Sequence, residues 1–198
     1  YVTQVYRLKN NDIAVVTSGY GIMLKKENAE VCYAMKGEVE NLKFIHKILE
    51  DKQDRLWIIL ENGKLYRADK KGKLTKQIPG AETLEAKDIR QDNKGNIYLA
   101  TKNDGIYLLK AGSTIFTKIA GIGNLPIDNI YISRDQRLFI GCDGMGIFVY
   151  NPVTGFLQNN PLFSREVNLA KCKITSIIED FTGNIWVSML QKGVFMQS

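Results

Sequence analysis

The sequence is poor in the residues and runs that several classes of protein require. Its 198 residues include one histidine, three cysteines and four prolines. It has no stretch of about 18 apolar residues that could cross a membrane as a helix. It opens on Tyr1 and Val2, without the charged region and apolar region of a secretory signal. These absences predict a segment that makes no membrane contact of its own and is a mature or excised piece of a longer protein.

The cysteines Cys32, Cys142 and Cys172 are odd in number and lack the paired spacing of a metal site. Buried free thiols are the simpler interpretation. A disulfide between two of them, which would suit an oxidising compartment, stays open because the sequence does not give the distance between them. No metal and no cofactor are expected.

What the sequence does contain is an internal repeat. The apolar residues that open five predicted central strands lie 43, 41, 41 and 47 residues apart, at Ile13, Leu56, Ile97, Leu138 and Ile185. A glycine follows eight residues later in four units and seven residues later in the second, at Gly21, Gly63, Gly105, Gly146 and Gly193. An apolar or aromatic run comes after each glycine. This period is typical of a β-propeller blade.

Each unit consists of short β-rich runs separated by Asp, Asn and Gly turns, which predicts antiparallel strands. We expect inner strands near residues 2–8, 45–50, 86–91, 128–132 and 174–179, and outer strands near 31–33, 74–75, 115–116 and 156–157. Residues 82–89 are expected to form one short turn or helix. The predicted fold is therefore all-β, a propeller of about five four-stranded blades in units of about 1–43, 44–84, 85–125, 126–172 and 173–198.

The fifth unit resembles a known repeat. Residues 174–188 contain an apolar strand, Asp180, Gly183 and Trp186, and a glycine with an apolar pair follows at 193–195. This string closely resembles the two-component regulator propeller repeat. The other units depart from it by degrees: the second has Asp54 in place of the glycine, the third has Tyr98 in place of the tryptophan, and the fourth and first match only in pattern. The resemblance covers nearly the whole chain.

The resemblance implies a sensory role. Such repeats occur in the periplasmic part of hybrid two-component sensor kinases of gram-negative bacteria, which often respond to oligosaccharides. It therefore implies a periplasmic, carbohydrate-sensing module for signal transduction, and a propeller with more than the five repeats seen here. The kinase would lie elsewhere in the full-length protein. His46, in a predicted inner strand, is interpreted as a plain strand residue and not as a phosphoacceptor.

One aromatic position recurs from unit to unit. Trp57, Tyr98, Phe139 and Trp186 occupy it, and we expect these rings to be buried between blades as structural core. A position shared by so many units favours packing over stacking against a sugar.

Ligand recognition is expected where the repeats differ, in the loops between second and third strands. Propellers bind at one end of their strands through such loops. The candidate ligand-binding residues are Tyr20, Asn62, Lys102, Asn103, Asp104, Asp143, Gln191 and Lys192. Amide, charged and aromatic groups suit a carbohydrate, although each of them is also an ordinary turn residue.

The charge is basic, with 27 Lys and Arg against 21 Asp and Glu. Basic residues crowd one segment at Lys64, Arg67, Lys70, Lys71, Lys73 and Lys76. Such a patch attracts polyanions, but lysines on an outer strand also prevent pairing between sheet edges, and we favour this second explanation. Nucleic-acid binding is not expected, because the patch lacks interleaved aromatic residues.

No recognisable set of catalytic acids, bases or metal ligands is present, so this segment is predicted not to be an enzyme. The alternatives are a propeller scaffold for protein–protein interaction and a carbohydrate-active propeller enzyme. Apolar faces left open on the first and last blades, around Val15 and Trp186, would drive self-association of the isolated chain.

Overall fold

The computed structural model describes residues 1–30, 32–69, 71–159 and 172–197. They form 19 strands in five antiparallel sheets. Sheet 1 contains β1 (Val2–Arg7), β2 (Ile13–Thr17), β3 (Gly21–Lys25) and β4 (Tyr33–Ala34). Sheet 2 contains β5 (Ile45–Glu50), β6 (Leu56–Leu60), β7 (Leu65–Ala68) and β8 (Leu74–Thr75).

The remaining strands continue the same pattern. Sheet 3 contains β9 (Ala86–Gln91), β10 (Ile97–Thr101), β11 (Ile106–Leu109) and β12 (Thr117–Lys118). Sheet 4 contains β13 (Ile127–Ile132), β14 (Leu138–Cys142), β15 (Gly146–Tyr150) and β16 (Leu157–Asn159). Sheet 5 contains β17 (Ile174–Glu179), β18 (Ile185–Met189) and β19 (Gly193–Gln197). Each sheet is a meander in which consecutive strands pair, as in a β-propeller blade.

The prediction of an all-β chain of five blade-like repeats is confirmed. All five central strands begin at the predicted apolar residues, and the inner strands match the predicted ranges to within one residue. In the described part of the chain the only helix is a 3-10 turn at Glu38–Asn41, and no helix there is long and apolar enough to cross a membrane. The turn expected in 82–89 is short, because β9 already begins at Ala86.

The outer strand of sheet 2 has the predicted bounds, and those of sheets 1 and 4 overlap the predicted ranges at Tyr33 and Leu157, while Val31 lies outside the described residues. The outer strand of sheet 3 differs from the prediction. Residues 115–116 were expected there, but β12 starts at Thr117, which pairs with Leu108. Phe116 has another partner: its amide donates to the carbonyl of Pro79 (2.9 Å), and its buried ring meets Trp57 edge-on at 5.8 Å between centroids. The apolar character of Phe116 thus reflects its burial in the core, and the residue lies outside the outer strand.

The chain divides into two compact units. Unit 1 comprises Tyr1–Ile89 and Thr114–Phe116, and unit 2 comprises Arg90–Ser113 and Thr117–Ser198. In unit 1 the core joins sheets 1 and 2, with Ala14 and Val16 of β2 against Ile48 and Ile58. Unit 2 has two such cores, one joining sheets 3 and 4 and one joining sheets 4 and 5. Burial of apolar faces between consecutive sheets is the main source of stability in each unit.

The turn between first and second strands is built the same way in all five sheets. One residue has a positive φ each time, at Asn11, Asp54, Gly95, Gln136 and Gly183. Three sheets also have an aspartate that accepts backbone N–H groups two and four residues later, at Asp51, Asp92 and Asp180. In sheet 2 the capping bonds of Asp51 hold the turn although Asp54 replaces glycine. In sheets 1 and 4, Asn11 and Gln136 take the left-handed conformation although the capping position holds Leu8 and Ser133.

The second oxygen of this aspartate binds the recurrent aromatic residue. Trp57 Nε1 donates to Asp51 Oδ2 (2.7 Å) and Trp186 Nε1 to Asp180 Oδ2 (2.8 Å). Burial, together with the charge and hydrogen bond of Asp92, raises the pKa of Tyr98 to about 12. Trp57, Tyr98 and Phe139 are buried, whereas Trp186 remains 36% exposed. Trp186 therefore departs from the expectation of a largely buried position.

Candidate functional site

All eight predicted ligand-binding residues lie at one end of their sheets, in or beside the turn that joins the second strand to the third. Unit 1 holds Tyr20 and Asn62, and unit 2 holds the other six, namely Lys102, Asn103, Asp104, Asp143, Gln191 and Lys192. We call these segments the second turns. The structure thus gives the predicted residues a common position in the repeat.

Threonine hydroxyls hold two of the second turns. Thr17 Oγ1 donates to the carbonyl of Gly21 (2.9 Å) and accepts from the amide of Tyr20 (3.2 Å). Thr101 makes the same pair of bonds with Gly105 and Asp104 (2.8 and 3.0 Å). These bonds use the backbone of Tyr20 and Asp104 and leave their side chains to project from the turn.

In several second turns a backbone amide also donates to the residue that precedes an inner strand. In unit 1 the amide of Ser18 donates to the carbonyl of Tyr1 (2.9 Å), and the amide of Glu61 donates to that of Phe44 (2.8 Å). In unit 2 Leu190 donates in the same way to Lys173 (3.0 Å). These contacts add Tyr1, Phe44 and Lys173 to the candidate site. Sequence reasoning missed them, although their place next to an inner strand was a usable signal.

Exposed aromatic rings lie in or beside the second turns of unit 1. Tyr1, Tyr20 and Phe44 are 81%, 79% and 58% exposed. The hydroxyl of Tyr1 donates to Glu61 Oε1 (3.0 Å), so an aromatic face and a carboxylate lie side by side. Exposed rings with polar neighbours can stack on a sugar ring and bind its hydroxyl groups.

The second turns of unit 2 carry paired charges instead. Lys118 Nζ forms an ion pair with Asp104 and donates to Asn124 Oδ1 (2.7 Å), while the hydroxyl of Tyr107 donates to the second oxygen of Asp104 (2.6 Å). The hydrogen bonds from Lys118 and Tyr107 lower the pKa of Asp104. The Asp104 hydrogen bond in turn raises the pKa of Tyr107 to about 12. Both groups therefore keep fixed protonation states near neutral pH.

A second ion cluster lies beside β14. Lys173 Nζ stands 3.1 Å from Asp128 Oδ2 and 3.2 Å from Asp143 Oδ2. The hydrogen bond to Asp128, followed by that to Asp143, raises the pKa of Lys173. Burial, with the charge of Asp128 as a smaller cause, raises the pKa of Cys142 to about 12. The Cys142 thiol stays protonated and is a poor nucleophile.

The described residues give this end of the sheets binding groups but no recognisable reaction centre. They contain no group of three His, Cys, Asp or Glu side chains that could hold a metal ion. The first turns of their sheets occupy three further carboxylates with hydrogen bonds, those of Asp51, Asp92 and Asp180. His46 is exposed on β5, where loss of hydration, followed by the charge of Lys47, lowers its pKa. The arrangement can therefore bind hydroxyl and charged groups through side chains on fixed turns.

Comparison with solved structures places the fold. The extracellular domain of BT3049 from B. thetaiotaomicron, named as a hybrid two-component system, is 18% identical with a TM-score of 0.80, over 98% of this chain and 26% of that chain. The corresponding domain of BT4673 from the same organism is 20% identical with a TM-score of 0.76, over 100% of this chain and 26% of that chain. These likenesses show the β-propeller fold, as the repeat resemblance implied. The chain thus spans about a quarter of the length of these structures.

Enzymes share the fold too. Virginiamycin B lyase from Staphylococcus aureus is 12% identical with a TM-score of 0.66, over 98% of this chain and 68% of that chain. No protein-family model matches the chain, and no curated protein matches it significantly. The fold alone therefore does not separate a sensor from an enzyme.

Proposed function

We propose that the chain is a ligand-sensing propeller module from the extracytoplasmic, periplasmic part of a hybrid two-component sensor, and that its ligand is an oligosaccharide. The observation that carries the proposal is the exposure of Tyr1, Tyr20 and Phe44 in or beside the second turns, with Tyr1 hydrogen-bonded to Glu61. The likeness to extracellular domains of hybrid two-component systems supports the sensor role. Signalling would need parts of the protein beyond this module.

The proposed module binds its ligand without converting it. Two carboxylates of the second turns, Asp104 and Asp143, are held in ion pairs with Lys118 and Lys173, and Glu61 accepts a hydrogen bond from Tyr1. Each of these acids therefore already has a partner among the described residues, which does not favour a role as general acid or base. The likeness to a lyase makes catalysis the second candidate, so both are tested together. Chromatography of each incubated oligosaccharide should show no product. Turnover would overturn the non-catalytic role and favour a carbohydrate-active enzyme.

Thermal unfolding with a panel of neutral and acidic oligosaccharides tests binding, since a ligand that binds only the folded state raises the melting temperature. Replacing Tyr20 or Phe44 by alanine should weaken binding about three- to tenfold, as expected for a lost aromatic contact of about 0.5–1.5 kcal/mol. The matched control is Phe181→Ala, an exposed ring in the first turn of sheet 5, at the opposite end of its strands. An equal effect of this control would place the ligand elsewhere.

Charge can be tested in the same assay. Lys102→Gln or Lys192→Gln should weaken the binding of acidic oligosaccharides, and Lys71→Gln, which lies near outer strand β8, should not. A loss with Lys71→Gln alone would instead assign anion binding to the basic segment of sheet 2.

A further inference from the structure

Unit 2 has a groove whose rim lies at the other end of the strands from the second turns. It lies between sheets 3 and 4 and has a volume of about 580 Å³, within the range of about 300–1,000 Å³ typical of small-molecule sites. Residues 92–96, 135–136 and 151–153, which form its rim, belong to first or third turns. In an antiparallel meander these turns lie at the opposite end of the strands from the second turns. We call it the lysine groove, after Lys94 and Lys110 on its rim.

The wall of the lysine groove is apolar and rigid. It contains Tyr98, Leu108, Ile119 and Tyr150, which belong to the core between sheets 3 and 4 or pack against it. Val153, on the rim, is almost fully exposed. A ring-sized ligand could therefore place one face against apolar side chains that packing already holds in position.

The acidic groups of the groove are already bound. Asp92 accepts the amides of Lys94 and Asn96 (2.9 and 2.8 Å) and the side-chain amide of Asn96 (2.7 Å). Asp135 accepts from Ser133 Oγ (2.5 Å) and Arg137 Nε (2.6 Å). The oxygens of both carboxylates are thus occupied by hydrogen bonds within the protein, and Arg137 also offsets the charge of Asp135, so these oxygens are poor partners for a ligand.

The two rim lysines are not used in this way. Lys94 and Lys110 are exposed, and neither has an ion-pair partner among the residues that the structure describes. Lys118, the third lysine of the groove, binds Asp104 and Asn124 and is not available. The groups left to a ligand are therefore two ammonium donors above an apolar wall.

The corresponding groove of unit 1 has the opposite charge, so the lysines are not a requirement of the repeat. It has a volume of about 470 Å³ and lies between sheets 1 and 2. Its lysine, Lys9, is paired with Asp54 at 2.6 Å, and Asp12, Glu50 and Asp69 add further acids. In the first sequence repeat, Asn10 occupies the position that Lys94 holds in the third.

We propose that the lysine groove is a second binding site, which takes a small organic anion with a ring-sized body, such as a sugar acid. The apolar wall would accept the ring, and Lys94 and Lys110 would bind the anionic group by charge-assisted hydrogen bonds. This proposal does not depend on the oligosaccharide proposed at the second turns, because its anion-binding residues, Lys94 and Lys110, lie in turns at the other end of the strands.

Nuclear magnetic resonance titration of the methyl groups of Leu108, Ile119 and Val153 tests the proposal. The probes are galacturonate, neutral galactose as the ring without charge, and inorganic phosphate as the charge without ring. We expect galacturonate to shift these methyl signals at the lowest concentration. Raising the salt concentration should weaken its binding, because exposed charges are screened.

Lys94→Gln and Lys110→Gln should each weaken galacturonate about two- to fivefold, the size expected for an exposed ion pair. The matched control is Lys26→Gln, since Lys26 holds the repeat position of Lys110 in sheet 1, outside both grooves. Unchanged spectra of the free variants would show that they fold. Absence of methyl shifts, equal binding by the double lysine variant, or equal weakening by the control would overturn the proposal.

Discussion

Trp57 and Trp186 occupy the same position in the repeat, but their surroundings differ. Each donates its indole N–H to the turn aspartate six residues earlier, at 2.7 and 2.8 Å. Trp57 is fully buried, with Phe116 edge-on and the guanidinium groups of Arg55 and Arg67 each 5.6 Å from its ring. Trp186 is 36% exposed. The turn and its hydrogen bond are thus local properties of one sheet, whereas burial depends on what packs against that sheet.

Glycines show the same contrast. Gly105, just before β11, and Gly193, the first residue of β19, both have a positive φ, of 72° and 90°. A Cβ atom on Gly105 would lie 2.1 Å from the carbonyl oxygen of Gly123, whereas one on Gly193 would meet nothing within 4 Å. At Gly105 the backbone of the next connection excludes a side chain, and at Gly193 only the left-handed conformation disfavours one.

The largest effect is expected from the tryptophans. Trp57→Ala should lower the free energy of unfolding by about 3–5 kcal/mol, the usual cost of emptying a buried aromatic site. Trp186→Ala should cost about 1–2 kcal/mol, because less apolar area leaves the core. Urea unfolding followed by circular dichroism measures both. Equal losses would show that the neighbours of Trp57 add nothing to its role.

The two glycine variants should also differ in stability, and the one at the more closely packed site, Gly105→Ala, should be the less stable. The left-handed conformation costs an alanine about 1–2 kcal/mol, which applies to Gly193→Ala and to Gly105→Ala alike. Gly105→Ala should lose a further amount of about 1–3 kcal/mol, because its methyl group forces the connection at Gly123 to move. Chemical unfolding of the two variants gives the difference directly. A Gly193 variant as unstable as the Gly105 variant would contradict the packing argument.

Lowering the pH should weaken the exposed first turn of sheet 5 and so reduce the stability of the protein. Hydrogen bonds from Thr182, Trp186 and Asn184 hold the pKa of Asp180 well below its usual range. A carboxyl group with a lowered folded pKa contributes stability above its unfolded pKa of about 3.9, and this contribution is lost as the pH falls through the folded value. As the pH is lowered from 6 to 2, the free energy of unfolding should therefore fall less steeply for Asp180→Asn than for the natural chain.

Thr182→Val provides a control for that measurement. It removes the main hydrogen-bond donor to Asp180 but leaves the carboxylate in place, so its pH dependence should lie between those of the other two proteins. If Asp180→Asn and the natural chain showed the same pH dependence, the capping bonds would not distinguish the charged carboxylate from the neutral one.

The smallest effect is expected in solution, as weak self-association. Met196 lies opposite Trp186, and Val194 lies opposite Ser188, on one partly exposed face of sheet 5. Exposed apolar faces of this kind favour association. Light scattering should detect a concentration-dependent rise in mass that Met196→Lys reduces. A stable monomer at all concentrations would contradict the prediction.

The sequence predicts the strands well because the repeat supplies five examples of each. The central strands at Ile13 and Leu56, like the other three, start where the period places them. Prediction was weaker where one unit differs from the rest. Phe116 was assigned to an outer strand, but it packs on Trp57, a contact between residues 59 positions apart that no local pattern reveals.

The candidate site was predictable only in part, for the same reason. The second turns were found from their place in the repeat, whereas Tyr1, Phe44 and Lys173 join them through backbone hydrogen bonds that span 17 residues in each case. The lysine groove was not foreseen, because its walls come from two sheets. Its polarity depends on which acids are already bound, which only the three-dimensional contacts show.

The capped first turn has a consequence for how the chain acquires its structure during synthesis. The bonds of Asp51 join residues at most six positions apart, and those of Asp180 do the same. A ribosome adds about 5–20 residues per second, whereas a hairpin forms within about 1–10 μs. Each hairpin can therefore close soon after it leaves the ribosome, seconds before the next one exists. We expect the nascent chain to fold sheet by sheet from its amino-terminal end, so that each new sheet forms after the sheet that precedes it in the sequence.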